Sequence, residues 1–569
     1  MRAPVPRAAR SLTPPRRRPP AKKQDYASVA KKLREISRLE EISGLLGWDE
    51  LVMQPPGAAD ARAAQKEALA GVLHDKSTSA DLGALLERLS EASASGNDLG
   101  APDAETAAVR RAVVRDALDA YRREARIPKE LAMRMASLES NGYHAWVKAR
   151  KEKDFSQFAP VLREWVEVLR KKAELIDPAG EPYSVLLQSF DKGNSRERLD
   201  EIFGELKEGL VPLLRELRAA REARLVGSGA EPDEKKQKTG VFGNGSINDP
   251  SWIYAEEGKG FDVKAQAELC RQLCLDLGFD LERGRIDVSV HPFTGGAGPS
   301  DVRLTTRFKN EDVTEGLTGA IHETGHGLYE MQRNTDAEWE GLPVNSALGM
   351  SCHESQSLLW ERCVALSPQY SQYLLPKLAA AFPDSAFAVA AKEADGPQRL
   401  HAALNALKVP SHIRVESDEV HYPLHVLLRF ELEKDLIDGK LKVEDLPAAW
   451  NAKALEYLGE APPDDAQGVL QDTHWSGGAM AYFPTYSLGA AMAVQIFEAA
   501  KKDLPDLDAQ IARGEFAPLK AWLRDKVHRK GSFYPSADAL LESATGKPLD
   551  VKIFLKYLRD KYRKLYGLE

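Results

Sequence analysis

The feature that most restricts the fold of this chain is helical periodicity sustained over nearly its whole length. Val29, Leu33, Ile36, Leu39, Ile42 and Leu46 recur every three or four residues, the spacing that gathers apolar side chains on one face of an α-helix. The stripe ends at Pro55-Pro56-Gly57, where helical hydrogen bonding fails. The same pattern predicts long helices over Val161–Leu175, Leu199–Leu225, Ala265–Leu277, Leu424–Ile437 and Leu488–Ala500. Strand signals are few. Ile286-Asp287-Val288-Ser289-Val290 alternates apolar and polar residues, and Val302–Thr306 is a second candidate. These two are expected to form a small hairpin with the Gly295–Gly298 loop between them. No repeat of fixed period and no clean linker divides the chain. The expected fold is mostly α: one large helical unit with a deep groove and a small β-hairpin or sheet. At 569 residues the chain can bury a large core, and by average domain size it could hold several.

Two segments depart from this pattern. The first 23 residues hold eight basic residues, from Arg2 to Lys23, with six prolines and no acidic residue; such a stretch cannot pack. Residues 1–24 are therefore expected to be a disordered tail, ahead of one catalytic unit over 25–569. Transit peptides are Arg-rich and acid-poor but also Ser-rich and amphipathic. The single serine, Ser11, and the prolines count against that role, so a cytoplasmic protein is expected, with organelle targeting as the alternative. The glycines and the Glu234-Lys235-Lys236 cluster make residues around 227–246 a flexible surface loop.

Composition excludes several classes. A net charge of −8 without a basic, aromatic-laced stripe does not suit nucleic acid. No run approaches the ~18 apolar residues of a membrane helix. Four cysteines build no disulfide framework, and Cys270 and Cys274, four apart among apolar neighbours, read as reduced core thiols.

The chemistry concentrates in His322-Glu323-Thr324-Gly325-His326. Histidines at i and i+4 share a helix face, about 6 Å apart along the axis, so both imidazoles can meet one metal ion. Glu323 projects roughly 100° around the helix, where it can take a proton from water on the metal without being a ligand. Leu317, Ile321 and Leu328 form a stripe turned away from the histidines, and Tyr329 falls on the histidine side. Gly325 and Gly327 each cost a helix about 1 kcal/mol relative to alanine, which implies close approach by another backbone, by a substrate or by a packed helix.

Catalytic zinc usually keeps three protein ligands and an open fourth position. Tyr329 and Gln332 stand where an extended H-x-x-G-x-x-H motif needs glycine and histidine, excluding that solution. A later glutamate is the alternative, and Met350–Ser357 offers Glu354, 28 residues beyond His326. Spacing alone leaves His353, Glu354 and Glu361 open. Glu330 and Glu338 suit less, lying on the motif helix or in its trailing loop.

His322–His326 followed by His353-Glu354-Ser355-Gln356-Ser357 resembles the carboxypeptidase Taq family of metallocarboxypeptidases. Further blocks follow in the same order: His291-Pro292-Phe293, Asp301-Val302-Arg303-Leu304-Thr305 and Ile413-Arg414-Val415-Glu416-Ser417-Asp418, then Gly468–Trp475 (GxxQDxHW) and Tyr482–Tyr486. Trp48-Asp49 also fits, and the likeness runs from about Tyr26 to the C-terminus. Leu358, Ala481 and His421 replace a common arginine, glycine and threonine, which bears on substrate preference more than on activity.

The resemblance implies that Glu354 is the third ligand of one divalent metal ion per subunit. That ion is expected to be zinc, with cobalt or manganese as alternatives for a His₂Glu set. It also implies broad-specificity removal of C-terminal residues from peptides, and a homodimer. An oxyanion donor is required; His474, His425, Tyr422 and Tyr486 are candidates. The free C-terminal carboxylate calls for a planar guanidinium: Arg414 first, and Arg303 second, with a structural pair to Asp301 as its other reading. Gln471 and His291, on the same blocks, complete the substrate-binding candidates. An endo-acting oligopeptidase and a catalytically silent peptide-binding protein are the competing readings.

Overall fold

The computed structural model describes residues 23–227, 250–255, 259–333 and 336–568. The tail and the loop around 227–246 lie outside them, except at their edges: Lys23 already opens the first helix (Lys23–Val52) and Gly227 ends another (Arg196–Gly227). Each helix expected from periodicity is present, extended by a few residues, as in Ala159–Ile176, Val263–Leu277, His421–Asp438 and Pro484–Asp503. Side chains set some of these limits. Asp262 caps Val263–Leu277 by accepting from the Ala265 amide, satisfying a donor that the first helical turn leaves free.

The β-structure differs from the expected hairpin. Strands β1 (Gly284–Val288), β2 (Thr294–Gly296) and β3 (Val302–Thr306) form one sheet in the order β1-β3-β2. β1 and β3 run parallel, and the hairpin partner of β3 is β2. Parallel neighbours cannot be joined by a tight turn, so the chain crosses over after β1 and returns through β2. Thr-Gly-Gly is too short to show alternation, and its glycines fall within the expected loop. The central strand β3 is almost wholly buried, while Val288 and Val290 at the β1 edge are exposed.

The motif helix (Val313–Gln332) lies on β3 and buries Leu317, Ile321 and Leu328. Another neighbour, besides Val263–Leu277, is a short helix, Met350–Leu358, which continues into the wider π-type turns of Leu359–Ala365. That short helix is wedged between the motif helix and Pro484–Asp503. Two glycines allow the wedge. A Cβ on Gly325 would stand 2.6 Å from the Gln356 carbonyl oxygen, and one on Gly489 would stand 2.8 Å from Cβ and Cγ of Glu354. Gly327 faces the Phe279 ring and Val302 of β3, so close packing by neighbouring segments accounts for both motif glycines. Tyr329 is fully buried, its hydroxyl accepting from the Leu348 amide 3.3 Å away. A smaller second core joins Val29, Leu86, Leu89 and Val113 of the N-terminal helices to Trp339, Leu342 and Val344 beyond the motif helix.

Candidate metal centre

His322 and His326 project side by side, their ring centroids 4.9 Å apart. Glu354 meets them from the wedged helix: its Oε2 lies 3.4 Å from His326 Nε2 and 3.8 Å from His322 Nε2. The three ligand atoms fall within 4.8 Å of one another. Bonds of about 2.0–2.1 Å in tetrahedral array separate ligand atoms by roughly 3.3 Å, so two imidazoles and one carboxylate are placed to hold a divalent ion. All three residues that spacing leaves open are found here. Glu361, seven residues and about two turns beyond Glu354, bonds His322 Nδ1 through its Oε2 at 2.7 Å. His353 meets His326 Nδ1 through its own Nδ1 at 2.6 Å and reaches Glu330 Oε1 at 2.8 Å through Nε2, and Glu330 is paired in turn with Arg333. Such outer bonds fix the tautomer and orientation of a ligating imidazole. Glu338 is elsewhere, on the surface, 3.5 Å from Arg110.

The electrostatics favour a cation. Burial alone would depress His322, yet Glu354 and Glu361 outweigh it and lift the ring to about 9. Burial raises Glu354, but the two histidines pull it down to about 2. With Glu354 held ionised between the histidines and Glu361 bonded to His322, the pocket presents negative charge to a metal ion.

Glu323 is buried beside the ligands without belonging to their cluster. The Thr294 hydroxyl donates to its Oε2 at 2.7 Å and to its own carbonyl oxygen at 3.0 Å, fixing one carboxylate oxygen and leaving the other free. Thr294 belongs to β2, and sequence reasoning does not find it. Its one signal is its place directly after His291-Pro292-Phe293.

A second cluster gathers most of the substrate-binding candidates. Arg414 is buried and ion-paired to Asp472 Oδ1 at 2.8 Å, its Nη1 pointing to the Tyr422 hydroxyl at 3.4 Å and its guanidinium over the Tyr486 ring at 4.5 Å. Arg429 shares the same carboxylate, 2.6 Å from Asp472 Oδ2. Gln471 accepts from the Arg414 amide at 2.8 Å and donates to the His412 carbonyl at 2.9 Å, clamping this loop. His474 Nε2 lies 3.0 Å from the Tyr486 hydroxyl; burial, against Asp472, lowers its pKa to about 3, so the ring is neutral. The remaining candidates have other side-chain partners, His425 joining the cluster only through its carbonyl, which accepts from Arg429 Nη1 at 2.6 Å. His425 is buried against the Ser411 carbonyl at 3.1 Å. Arg303 grips Asp301 with two hydrogen bonds of 2.7 and 2.8 Å and stacks over Trp48. His291 is exposed and bonded to the Pro292 carbonyl at 2.8 Å. Ala481 holds a left-handed φ of +69°, a conformation suited to the glycine common at that place.

A mostly helical protein with two histidines four apart, a glutamate from a second helix and an adjacent non-ligating carboxylate falls in the class of metal-dependent hydrolases. The family model described as carboxypeptidase Taq (M32) metallopeptidase matches residues 28–241 and 253–562, and the chain belongs to that family. It is 37% identical to thermostable carboxypeptidase 1 of Thermus thermophilus, over 95% of this chain and 99% of that one. To carboxypeptidase 1 of Bacillus subtilis it is 34% identical, over 94% and 97%. Among solved structures, the M32 carboxypeptidase of Deinococcus radiodurans matches with a TM-score of 0.82 at 32% identity, covering 96% of this chain and all of that one. Trypanosoma cruzi metallocarboxypeptidase 1 also gives a TM-score of 0.82 at 32% identity, covering 95% of this chain and 100% of that one. Among the described residues no helix is long and apolar enough to cross a membrane.

Proposed function

We propose that this protein is a metal-dependent carboxypeptidase that removes residues from the free C-terminus of peptides with broad specificity. The observation that carries the reading is the pairing of two sites: the His322–His326–Glu354 triad with Glu323 beside it, and a buried cluster in which Arg414 and Arg429 share one carboxylate. Two guanidiniums on a single aspartate leave unbalanced positive charge, suited to a substrate carboxylate. When bound, a divalent ion polarises the scissile carbonyl and acidifies a coordinated water. Glu323 accepts the water proton on the oxygen that Thr294 leaves free and returns it to the leaving amine nitrogen. Tyr486, whose hydroxyl lies 3.0 Å from His474 Nε2, is the donor we assign to the carbonyl oxygen as negative charge develops there. Gln471 acts by holding Arg414 in place, and Tyr422 by receiving its Nη1.

The donor set suits zinc, with cobalt or manganese as alternatives, and metal analysis of the protein as isolated decides among them. Residues 25–569 act as one catalytic unit, since residues beyond the motif helix complete the N-terminal core. A cytoplasmic homodimer is the assembly we infer. Four buried free cysteines fit a reducing compartment, the dimer rests on family resemblance, and light scattering tests it.

The deciding experiment offers metal-loaded protein two identical peptides, one with a free and one with an amidated C-terminus, and follows the products by mass. Stepwise loss from the free peptide alone is expected. Internal cleavage of both would mean an oligopeptidase, and cleavage of neither, with metal bound, a silent peptide-binding protein.

A further inference from the structure

Arg362 lies on the π-type turns after the glutamate helix, one residue beyond Glu361. It is 7% exposed, forms no ion pair among the described residues, and its solvent-shielded Nη1 has no hydrogen-bond partner. Its guanidinium packs on an aromatic face, the guanidinium carbon lying 4.2 Å from the Tyr422 ring centroid. Buried charges are normally paired, because an unpaired one carries its full desolvation cost, and a cation–π contact returns only about 2 kcal/mol when desolvated. The carboxylates within electrostatic reach have other partners. Glu361 is bonded to His322 and Glu354 faces both metal-binding histidines. Glu419 is paired with Lys561.

Arg362 therefore has no carboxylate in direct contact among the described residues, although Glu361, Glu419 and Glu354 act on its charge from a distance, and its position indicates which anion can meet it. The Tyr422 ring that it covers carries the hydroxyl receiving Arg414 Nη1, so two guanidiniums meet one tyrosine from different helical segments. Arg414 is already committed to Asp472 through Nε and Nη2, whereas Arg362 has no such carboxylate among the described residues. Arg362 directly follows Glu361, whose carboxylate bonds His322 Nδ1 at 2.7 Å, which places it beside the candidate metal centre. A terminal carboxylate must be bound at such a place, because it lies one residue, about 3.8 Å of backbone, from the scissile carbonyl.

We propose that Arg362 is a buried binding site for a monovalent anion beside the metal centre. The anion is supplied either by the substrate's terminal carboxylate, shared with Arg414 across Tyr422, or by a free small anion such as chloride. The carboxylate source rests on the carboxypeptidase reading above, and the free-anion source does not.

The test compares the metal-loaded wild type with Arg362→Met and Arg362→Lys on the free-acid and amidated peptides, in chloride and in chloride-free buffer. Arg362→Met removes an unpaired buried charge while keeping length, so its Tm is expected to equal or exceed that of wild type. If the carboxylate is the partner, Arg362→Met loses 10- to 100-fold in kcat/KM on the free-acid peptide, mainly through KM. Arg362→Lys, which keeps the charge but not the planar fork, regains part of that loss. If a free anion is the partner, wild-type activity falls when chloride is withdrawn and Arg362→Met no longer responds to it. A wild type indifferent to amidation would sink the carboxypeptidase reading while leaving the chloride arm to be read. An Arg362→Met enzyme that keeps both its preference for the free acid and its chloride response overturns the proposal, as does a large fall in its Tm.

Discussion

Gly489→Ala tests whether the wedge between two helices sets the metal site. The added methyl would stand 2.8 Å from both Cβ and Cγ of Glu354 and 3.1 Å from the Ser351 carbonyl. Non-bonded carbons settle at about 3.5–4.0 Å, so roughly 0.7–1.2 Å of overlap must be absorbed. The glutamate helix cannot back away as a unit, because Gly325 on its far side already lies as close to the Gln356 and Ser357 backbone as a glycine permits. The strain falls on the Glu354 side chain, whose Oε2 must stay 3.4 Å from His326 Nε2 to share an ion. Overpacking of this kind costs about 1–3 kcal/mol. Borne by the metal-bound state, that weakens metal affinity by about 5- to 150-fold. Without metal, Glu354 can swing aside, so the metal-free protein should lose less stability than the metal-bound one. Chelator competition measures the affinity, and thermal unfolding with and without metal measures the partition. Metal binding within twofold of wild type would refute the reasoning. Gly204, inside Arg196–Gly227 with nothing within 4 Å of its added Cβ, is the control: Gly204→Ala should raise stability by about 0.4–1 kcal/mol.

Three other outcomes are expected. Glu323→Gln should retain the metal, since Glu323 lies outside the ligand cluster, but lose nearly all turnover in a single-turnover assay; unchanged activity would remove it as the base. His528, wholly buried between Gln332 and Gln356, is depressed by burial to about 3. With its folded pKa below the unfolded one, the stability tied to its neutral form is complete above about 6.5 and lost as pH falls toward 3. Denaturant unfolding of His528→Gln should therefore show a pH slope lower by about 1.4 kcal/mol per unit between pH 6 and 4, and an unchanged slope would mean that His528 titrates normally. Ala481→Gly relieves a left-handed φ of +69° and should leave stability at or above wild type by up to about 1 kcal/mol after the extra chain entropy of glycine; a clear loss by thermal unfolding would show that the methyl is needed for packing.

What the sequence determines by itself is what depends on neighbours within two helical turns. Residues four apart on a helix must share a face, so His322 and His326 are legible as a metal pair from their spacing alone. The apolar stripes locate the long helices, because periodicity and the breaking action of proline and glycine are local. Family resemblance adds Glu354. Spacing does not, since 28 residues of loop and helix can return in many directions.

Tertiary structure decides the rest. His353, Glu354 and Glu361 are equivalent by spacing, yet one joins the candidate metal cluster and two bond the histidines, because a helix wedged between two others presents each residue to a different neighbour. Thr294 is not recognisable as the partner of Glu323, since its three-residue strand shows no period and its role arises only from pairing with β3. The hairpin expected from Ile286–Val290 and Val302–Thr306 fails for the same reason: alternation marks a strand but does not say which strand lies beside it. Arg414, expected to bind through its planar fork, is itself held by an aspartate that a second arginine shares. Arg362 carries no signal in the sequence, because the lack of an ion-pair partner among the described residues shows only once its neighbours are placed.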